Sequence, residues 1–148
     1  MSGILIVDDE VELLDKIQFI LEDHADEVFI ADTTEKAMEI LDNQDDICCV
    51  ISDINLPNST GLDLLKSVRD KNIKIPFIFY SGRADDEAMV ESAQYGTYDF
   101  IMKPNFKQLE DSVAIAITLG KKVLAGEEVD LVQESNETFK ELIQALKP

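Results

Sequence analysis

Two short apolar segments of the sequence end in aspartates that could hold a metal ion. Asp8 and Asp9 follow "ILIV", and Asp53 follows "CCVIS". Carboxylates gathered at one place repel each other, so at least one is pushed towards its neutral form. Mg2+ removes that repulsion because it takes oxygen ligands and completes its shell with water and phosphate. We interpret the three aspartates as a Mg2+ site; a solvated acidic helix start is the alternative for "DDE" alone.

Asp53 also has the chemistry of a phosphoryl acceptor. A carboxylate beside a metal can attack phosphorus as a nucleophile and become an aspartyl phosphate. Phosphoryl transfer asks the protein mainly for positioning and charge neutralisation. Lys103 would neutralise one phosphoryl oxygen as a point charge, and the Ser81 hydroxyl would donate to another. These three residue types together predict a phosphorylation site centred on Asp53.

The elements that would position these residues alternate between apolar runs and segments with helical periodicity. The predicted strands cover residues 4–7, 28–31, 47–51, 77–80 and 98–102. Strands this short and this apolar are typical of a parallel sheet covered on both faces. We therefore predict an α/β fold with a (βα)5 doubly wound, five-stranded parallel sheet. In such sheets the ligand binds beyond the carboxyl ends of the strands, where the candidate site residues stand.

Length and charge restrict the class of protein. The chain has 148 residues, enough for one globular domain, and a formal net charge of −18. Nucleic acids and anionic membranes need basic patches, so we expect neither as a partner. No apolar run reaches the ~18 residues of a membrane span, and the N-terminus lacks the basic region of a signal peptide. The adjacent Cys48 and Cys49 are read as a reduced pair in a cytoplasmic protein.

The candidate residues and their neighbours resemble the receiver domain of two-component response regulators. The resemblance covers about residues 3–124 and rests on Asp8-Asp9, "DINLPNSTG" from Asp53, Ser81, and "YDFIMKP" ending at Lys103-Pro104. It implies the flavodoxin-like strand order 2-1-3-4-5. It also implies phosphorylation of Asp53 by a sensor histidine kinase or a histidine phosphotransfer protein. Such a protein is a signalling switch rather than an enzyme, apart from its own phosphorylation and dephosphorylation.

The resemblance also assigns roles around the metal. Asp9 and Asp53 are implied to bind Mg2+ directly, together with the backbone carbonyl of Asn55. Asp8 is implied to act through water. The Lys103–Pro104 peptide bond is expected to be cis.

A switch is implied as well. The Ser81 hydroxyl would move towards the phosphoryl group, which leaves room for Phe100 to turn inward. The change would reach the surface of the fourth helix, fifth strand and fifth helix. Phe100 stands where the family usually has tyrosine or phenylalanine, and it has no hydroxyl to hold the inward position. Thr60 stands where many relatives carry aspartate, and Thr97 where alanine is common.

Two other functions are alternatives to the receiver. A phosphatase of the haloacid dehalogenase type needs a second aspartate two residues after the nucleophile as general acid/base, and here Asn55 stands at that position. A pseudo-receiver that binds partners without phosphorylation is the other alternative, although the phosphotransfer residues are all present.

We divide the chain into a receiver at 1–124 and an extension at 125–148, with a further helix predicted at about 136–147. After Gly126 only 22 residues remain, so we expect a stand-alone regulator that acts on an unidentified downstream protein. The apolar residues Phe139, Leu142, Ile143 and Leu146 follow helical spacing. They are predicted to cover a second apolar stripe of the fifth helix, formed by Ile115, Leu119 and Val123. This docking could occur within the chain or in a homodimer, for which the fourth-helix, fifth-strand and fifth-helix surface is the other candidate.

Overall fold

The structure is a computed structural model that describes residues 1–83 and 85–147. Ala84, and Pro148 at the end of the predicted extension, lie outside the described residues. The strands are β1 (Gly3–Val7), β2 (Glu27–Ala31), β3 (Ile47–Ser52), β4 (Asn55–Leu56), β5 (Ser59–Thr60), β6 (Phe77–Ser81) and β7 (Thr97–Met102). The helices are α1 (Val11–Leu21), α2 (Thr34–Asn43), α3 (Gly61–Asp70), α4 (Asp86–Ala93), α5 (Phe106–Leu124) and α6 (Glu137–Leu146).

The main sheet is parallel and has the strand order β2-β1-β3-β6-β7. This confirms the predicted order 2-1-3-4-5, since β4 and β5 form a separate small hairpin. The central strands β1 and β3 are buried along their whole length, as expected for strands covered on both faces. Alternate side chains therefore supply two cores. One core includes residues of α1 and α5, and the other includes residues of α2, α3, α4 and α6.

Close packing of α5 on the sheet depends on one glycine. A Cβ atom at Gly120 would collide with the backbone carbonyl of Cys48 on β3. The helix can approach the strand only because this position has no side chain. Cys48 and Cys49 are both buried and free.

The extra C-terminal helix is present as α6, and it packs mainly against α4 and the edge strand β7. Asn136 caps it, because the side-chain oxygen accepts a hydrogen bond from the Phe139 amide at 3.2 Å. Phe139 and Ile143 are buried as predicted, but Leu142 is exposed. The predicted partner surface is wrong. Ile115 of the second stripe on α5 stays exposed, because α6 follows β7 on the α4 side instead.

The apolar side of α5 is not buried along its whole length. Leu109 and Val113 are fully buried, whereas Leu124, in the last turn of this 19-residue helix, is exposed. Within residues 1–83 and 85–147, no helix has the length and apolar character needed to cross a membrane.

Candidate functional site

The carboxyl edge of the sheet brings together side chains from four different strand ends. Asp8 follows β1, Asp53 follows β3, Ser81 ends β6, and Lys103 follows β7. Backbone hydrogen bonds hold neighbouring strand ends in register: the Asp53 amide donates to the Val7 carbonyl at 3.0 Å, and the Lys103 amide donates to the Ser81 carbonyl at 2.8 Å. The predicted convergence of these residues is therefore the result of parallel strands that end at one edge.

The Lys103 ammonium group lies at the centre of the site. It donates to Asp8 Oδ2 at 2.8 Å, to Asp53 Oδ2 at 2.9 Å and to Glu10 Oε1 at 3.2 Å. The ammonium thus uses its three donors on three carboxylates. The Lys103–Pro104 peptide bond is cis, the isomer expected from the sequence.

The four charged side chains of the site differ in how deeply they are buried. The side chains of Asp8, Asp53 and Lys103 are 3%, 8% and 12% exposed, whereas that of Glu10 is 63% exposed. Burial raises the pKa of Asp8, although hydrogen bonds from Lys103 and the Glu10 amide act in the opposite direction. For Lys103 burial acts against the charged form, but hydrogen bonds to Asp8 and Asp53 outweigh it and raise the pKa. The site therefore holds negative charge that a single lysine balances only in part.

This donor set fits a hard cation. One oxygen each of Asp8, Glu10 and Asp53 lies within 4.8 Å of the others. Oxygen ligands with an excess of negative charge are what Mg2+ prefers. Asp9 is exposed and lies outside this group, so its role as a direct ligand stays a prediction. Glu10 was not assigned from the sequence, although its place in "DDE" beside a predicted helix start was the available signal.

The loop after Asp53 fixes the direction of its carboxylate. The Asn55 amide donates to Asp53 Oδ1 at 3.2 Å, and the loop then turns through the hairpin of β4 and β5. Gly61 follows the hairpin, and its amide donates to Ile54 at 2.7 Å. A Cβ atom at Gly61 would collide with the Asp53 carbonyl oxygen. The loop can close over the end of β3 only with glycine at this position.

Ser81 and Phe100 lie in neighbouring strands, and both are buried. The Ser81 hydroxyl accepts a hydrogen bond from the Arg83 amide at 3.4 Å. The Phe100 ring stacks in a tilted arrangement on Phe79, with 5.6 Å between ring centroids. Phe79 pairs with Ser52 of β3, directly before Asp53. A continuous set of packed groups therefore connects the Asp53 end of β3 with the edge strand β7.

The sequence profile of the response regulator receiver domain matches residues 4–114, which is most of the chain. The chain belongs to the response regulator receiver family. Among curated proteins, it is 31% identical over 126 residues to the transcriptional regulatory protein TdiR of Thauera aromatica. That alignment covers 82% of this chain and 54% of TdiR. The chain thus spans about half the length of the curated relatives it matches.

Solved structures of receiver domains have the same fold. A CheY-like receiver domain protein from Methanospirillum hungatei JF-1 is 31% identical and superposes with a TM-score of 0.75, covering 83% of this chain and 98% of that one. A receiver domain protein from Clostridium thermocellum is 26% identical, with a TM-score of 0.74 and coverages of 83% and 99%. Both comparisons leave part of this chain unmatched.

Proposed function

We propose that this receiver is a phosphorylation-dependent switch that accepts a phosphoryl group on Asp53. The observation that carries the proposal is the contact between the buried Asp53 carboxylate and the Lys103 ammonium at 2.9 Å. A buried nucleophile beside a buried cation, at the ligand-binding edge of the sheet, suits phosphoryl transfer. Membership in the receiver family supports this function over the phosphatase alternative.

The donor we propose is a phosphohistidine of a sensor histidine kinase or a histidine phosphotransfer protein. An Asp53 carboxylate oxygen attacks phosphorus, and an O–P bond forms as the N–P bond breaks. The histidine nitrogen keeps the electron pair of the broken bond and takes up a proton from water. Lys103 then neutralises a phosphoryl oxygen, and the Ser81 hydroxyl donates to another once it leaves the Arg83 amide.

Mg2+ is the cofactor that fits the acidic cluster. Asp8, Asp53 and Glu10 are the carboxylates that the structure brings together, and Asp9 and the Asn55 carbonyl are additional ligands predicted from the sequence. Bound there, the ion would neutralise negative charge on the transferred group. Lys103 and the cation would then together balance the negative charge of the carboxylates and of the transferred group.

The output we propose is protein–protein contact. A phosphoryl group that attracts Lys103 and Ser81 acts on the ends of β6 and β7, and Phe100 lies two residues before the end of β7. A shift of Ser81 and Phe100 would change the surface that a downstream protein binds. The free cysteines fit a reducing compartment, and we therefore place the protein in the cytoplasm.

Phosphorylation from a small donor tests this function directly. Incubation with acetyl phosphate and Mg2+ should add the mass of one phosphoryl group to the intact chain. With excess EDTA the added mass should fall by at least about tenfold, because the three carboxylates would lack a second counter-charge. A pseudo-receiver would gain no mass under either condition, and full labelling in EDTA would exclude the role given to Mg2+.

A further inference from the structure

The segment after α5 covers the free edge of the sheet. β7 is an edge strand, and the Asn136 amide donates to the Tyr98 carbonyl at 2.8 Å. Leu131 lies against Gly96 at the start of β7, where a Cβ atom would be 2.8 Å from that of Leu131. The helix α6 then runs beside α4 and β7. Residues 131–146 thus occupy the surface that the predicted switch would change.

The buried side of α6 belongs to the same core as the switch residue. Phe139 and Ile143 are part of the buried cluster that contains Phe100 and Met89 of α4. α4 begins five residues after Ser81, and β7 ends directly before Lys103. Both elements that hold α6 are therefore connected by short segments to groups that would contact a phosphoryl group.

Few buried apolar residues attach α6 to the rest of the domain. In this ten-residue helix Phe139 and Ile143 are the buried apolar residues, and a groove of about 300 Å³ lies between α4 and α6. A helix of this length is marginal without tertiary contacts. Its docking is thus sensitive to the shape of the surface beneath it.

We propose that α6 is an intramolecular cover of the α4–β7 surface that docks on the unphosphorylated arrangement and is released by phosphorylation of Asp53. The docked helix fits a surface in which Lys103 is held by three carboxylates and Phe100 is buried. Packed interfaces change between discrete arrangements rather than deforming continuously. A phosphoryl group that moves Lys103, Ser81 and Phe100 therefore changes the α4–β7 surface on which α6 docks. The inference rests on the proposed function. It adds a mechanism by which the α4–β7 surface becomes accessible to a downstream protein.

Reciprocity gives a second consequence. If phosphorylation weakens docking, weaker docking must favour the phosphorylated arrangement by the same factor. Two neighbouring residues of α6 offer a matched pair for this test. Ile143 is 5% exposed and Leu142 is 41% exposed, and their substitution by alanine removes the same number of carbon atoms. I143A should weaken docking, and L142A should leave it unchanged.

The experiment is hydrogen exchange of the full chain with and without beryllofluoride and Mg2+, with binding measured separately by fluorine NMR. We expect beryllofluoride to speed exchange of the α6 amides by about tenfold or more, and to have no effect in D53N. I143A should bind beryllofluoride at least about fivefold more tightly than the native chain, whereas L142A should bind equally.

The outcomes separate the two proposals. Beryllofluoride binding with unchanged or slower α6 exchange overturns the inference and leaves the proposed function intact. Equal or weaker beryllofluoride binding by I143A also overturns it. No binding of beryllofluoride by the native chain contradicts the proposed function, and the inference fails with it.

Discussion

The two ends of β7 are stabilised in opposite ways. At its carboxyl end, Lys103 is surrounded by Asp8, Glu10 and Asp53 at 2.8–3.2 Å. At its amino end, Gly96 lies under Leu131 in close apolar contact. The first arrangement depends on charge and changes when charge is added. The second depends on shape and tolerates no added atom.

This difference explains how one strand can serve both a reactive site and a covering helix. Ion pairs can exchange partners without loss of packing, so the Lys103 end can respond to a phosphoryl group. Close-packed apolar contacts respond by separating rather than by adjusting. Phe100 lies between the two ends and belongs to the apolar core. In the switch that we propose, a change in charge at Lys103 would therefore become a change in packing around Phe100.

Replacing Lys103 by methionine should have the largest effect on stability, since it removes the only cation in contact with the three carboxylates among the described residues. Breaking a buried pair typically costs about 3–5 kcal/mol. Denaturant unfolding at neutral pH should show a loss of about 3 kcal/mol, partly restored by Mg2+. K107M is the control, because Lys107 forms an exposed ion pair on α5 and should change little. If K103M were as stable as the native chain, the ion pairs of Lys103 would not stabilise the carboxyl end of β7.

Replacing Gly96 by alanine tests the other end. Gly96 has a φ of 78°, and the added Cβ would lie 2.8 Å from Leu131 Cβ. Gly126 is the matched control, with a φ of 88°; apart from its chain neighbours, no atom of residues 1–83 and 85–147 lies within 4 Å of the added Cβ. Backbone strain alone should cost about 1–2 kcal/mol in each variant, and the collision should add at least about 1 kcal/mol in G96A. Equal losses for the two variants would mean that Leu131 moves away without cost.

The smallest predicted effect is a pH dependence due to Asp99, which lies between the two ends. Burial raises the pKa of Asp99 above its ordinary value of 3.8, although the Ser112 hydroxyl and the Phe100 amide donate to its carboxylate. The folded protein thus binds this proton more tightly than the unfolded chain. The contribution of Asp99 to stability is greatest below pH 3.8 and falls as the pH rises through the raised pKa.

A comparison with D99N isolates this contribution. The unfolding free energy of the native chain minus that of D99N should decrease from below pH 3.8 towards neutral pH. When both proteins also carry S112A, the same difference should decrease by a larger amount. This substitution removes the 2.6 Å hydrogen bond that favours the Asp99 carboxylate. A difference that rises with pH would mean that hydrogen bonding outweighs burial at Asp99.

Most of the site could be predicted from the sequence because its residues stand at the ends of apolar strands. The positions of Asp53, Ser81 and Lys103 at these ends require only that the strands be parallel, and the strand pairing confirms that condition. Glu10 could not be assigned in the same way. It belongs to the connection between β1 and α1, and its contact with Lys103 depends on side-chain conformation rather than on strand order.

The helix α6 shows a second limit of prediction from sequence, which is the choice of packing partner. Its spacing predicts a helix with one buried side, and that side is confirmed for Phe139 and Ile143 but not for Leu142, which is exposed. Periodicity does not say which surface a helix covers. Its partner is set by the path of residues 125–135, which place Leu131 at Gly96 and direct α6 along β7. Sequence reasoning chose α5 because its second stripe was apolar, and Ile115 of that stripe remains exposed.

The central claim is that Asp53 accepts the phosphoryl group, and intact-mass measurement of D53N tests it most directly. Asparagine is nearly isosteric with aspartate but a far poorer nucleophile. After incubation with acetyl phosphate and Mg2+, the native chain and D23N, an equivalent substitution at an exposed position, should each gain one phosphoryl group. D53N should remain folded and gain at least about a hundredfold less. Equal labelling of D53N and the native chain would contradict the account.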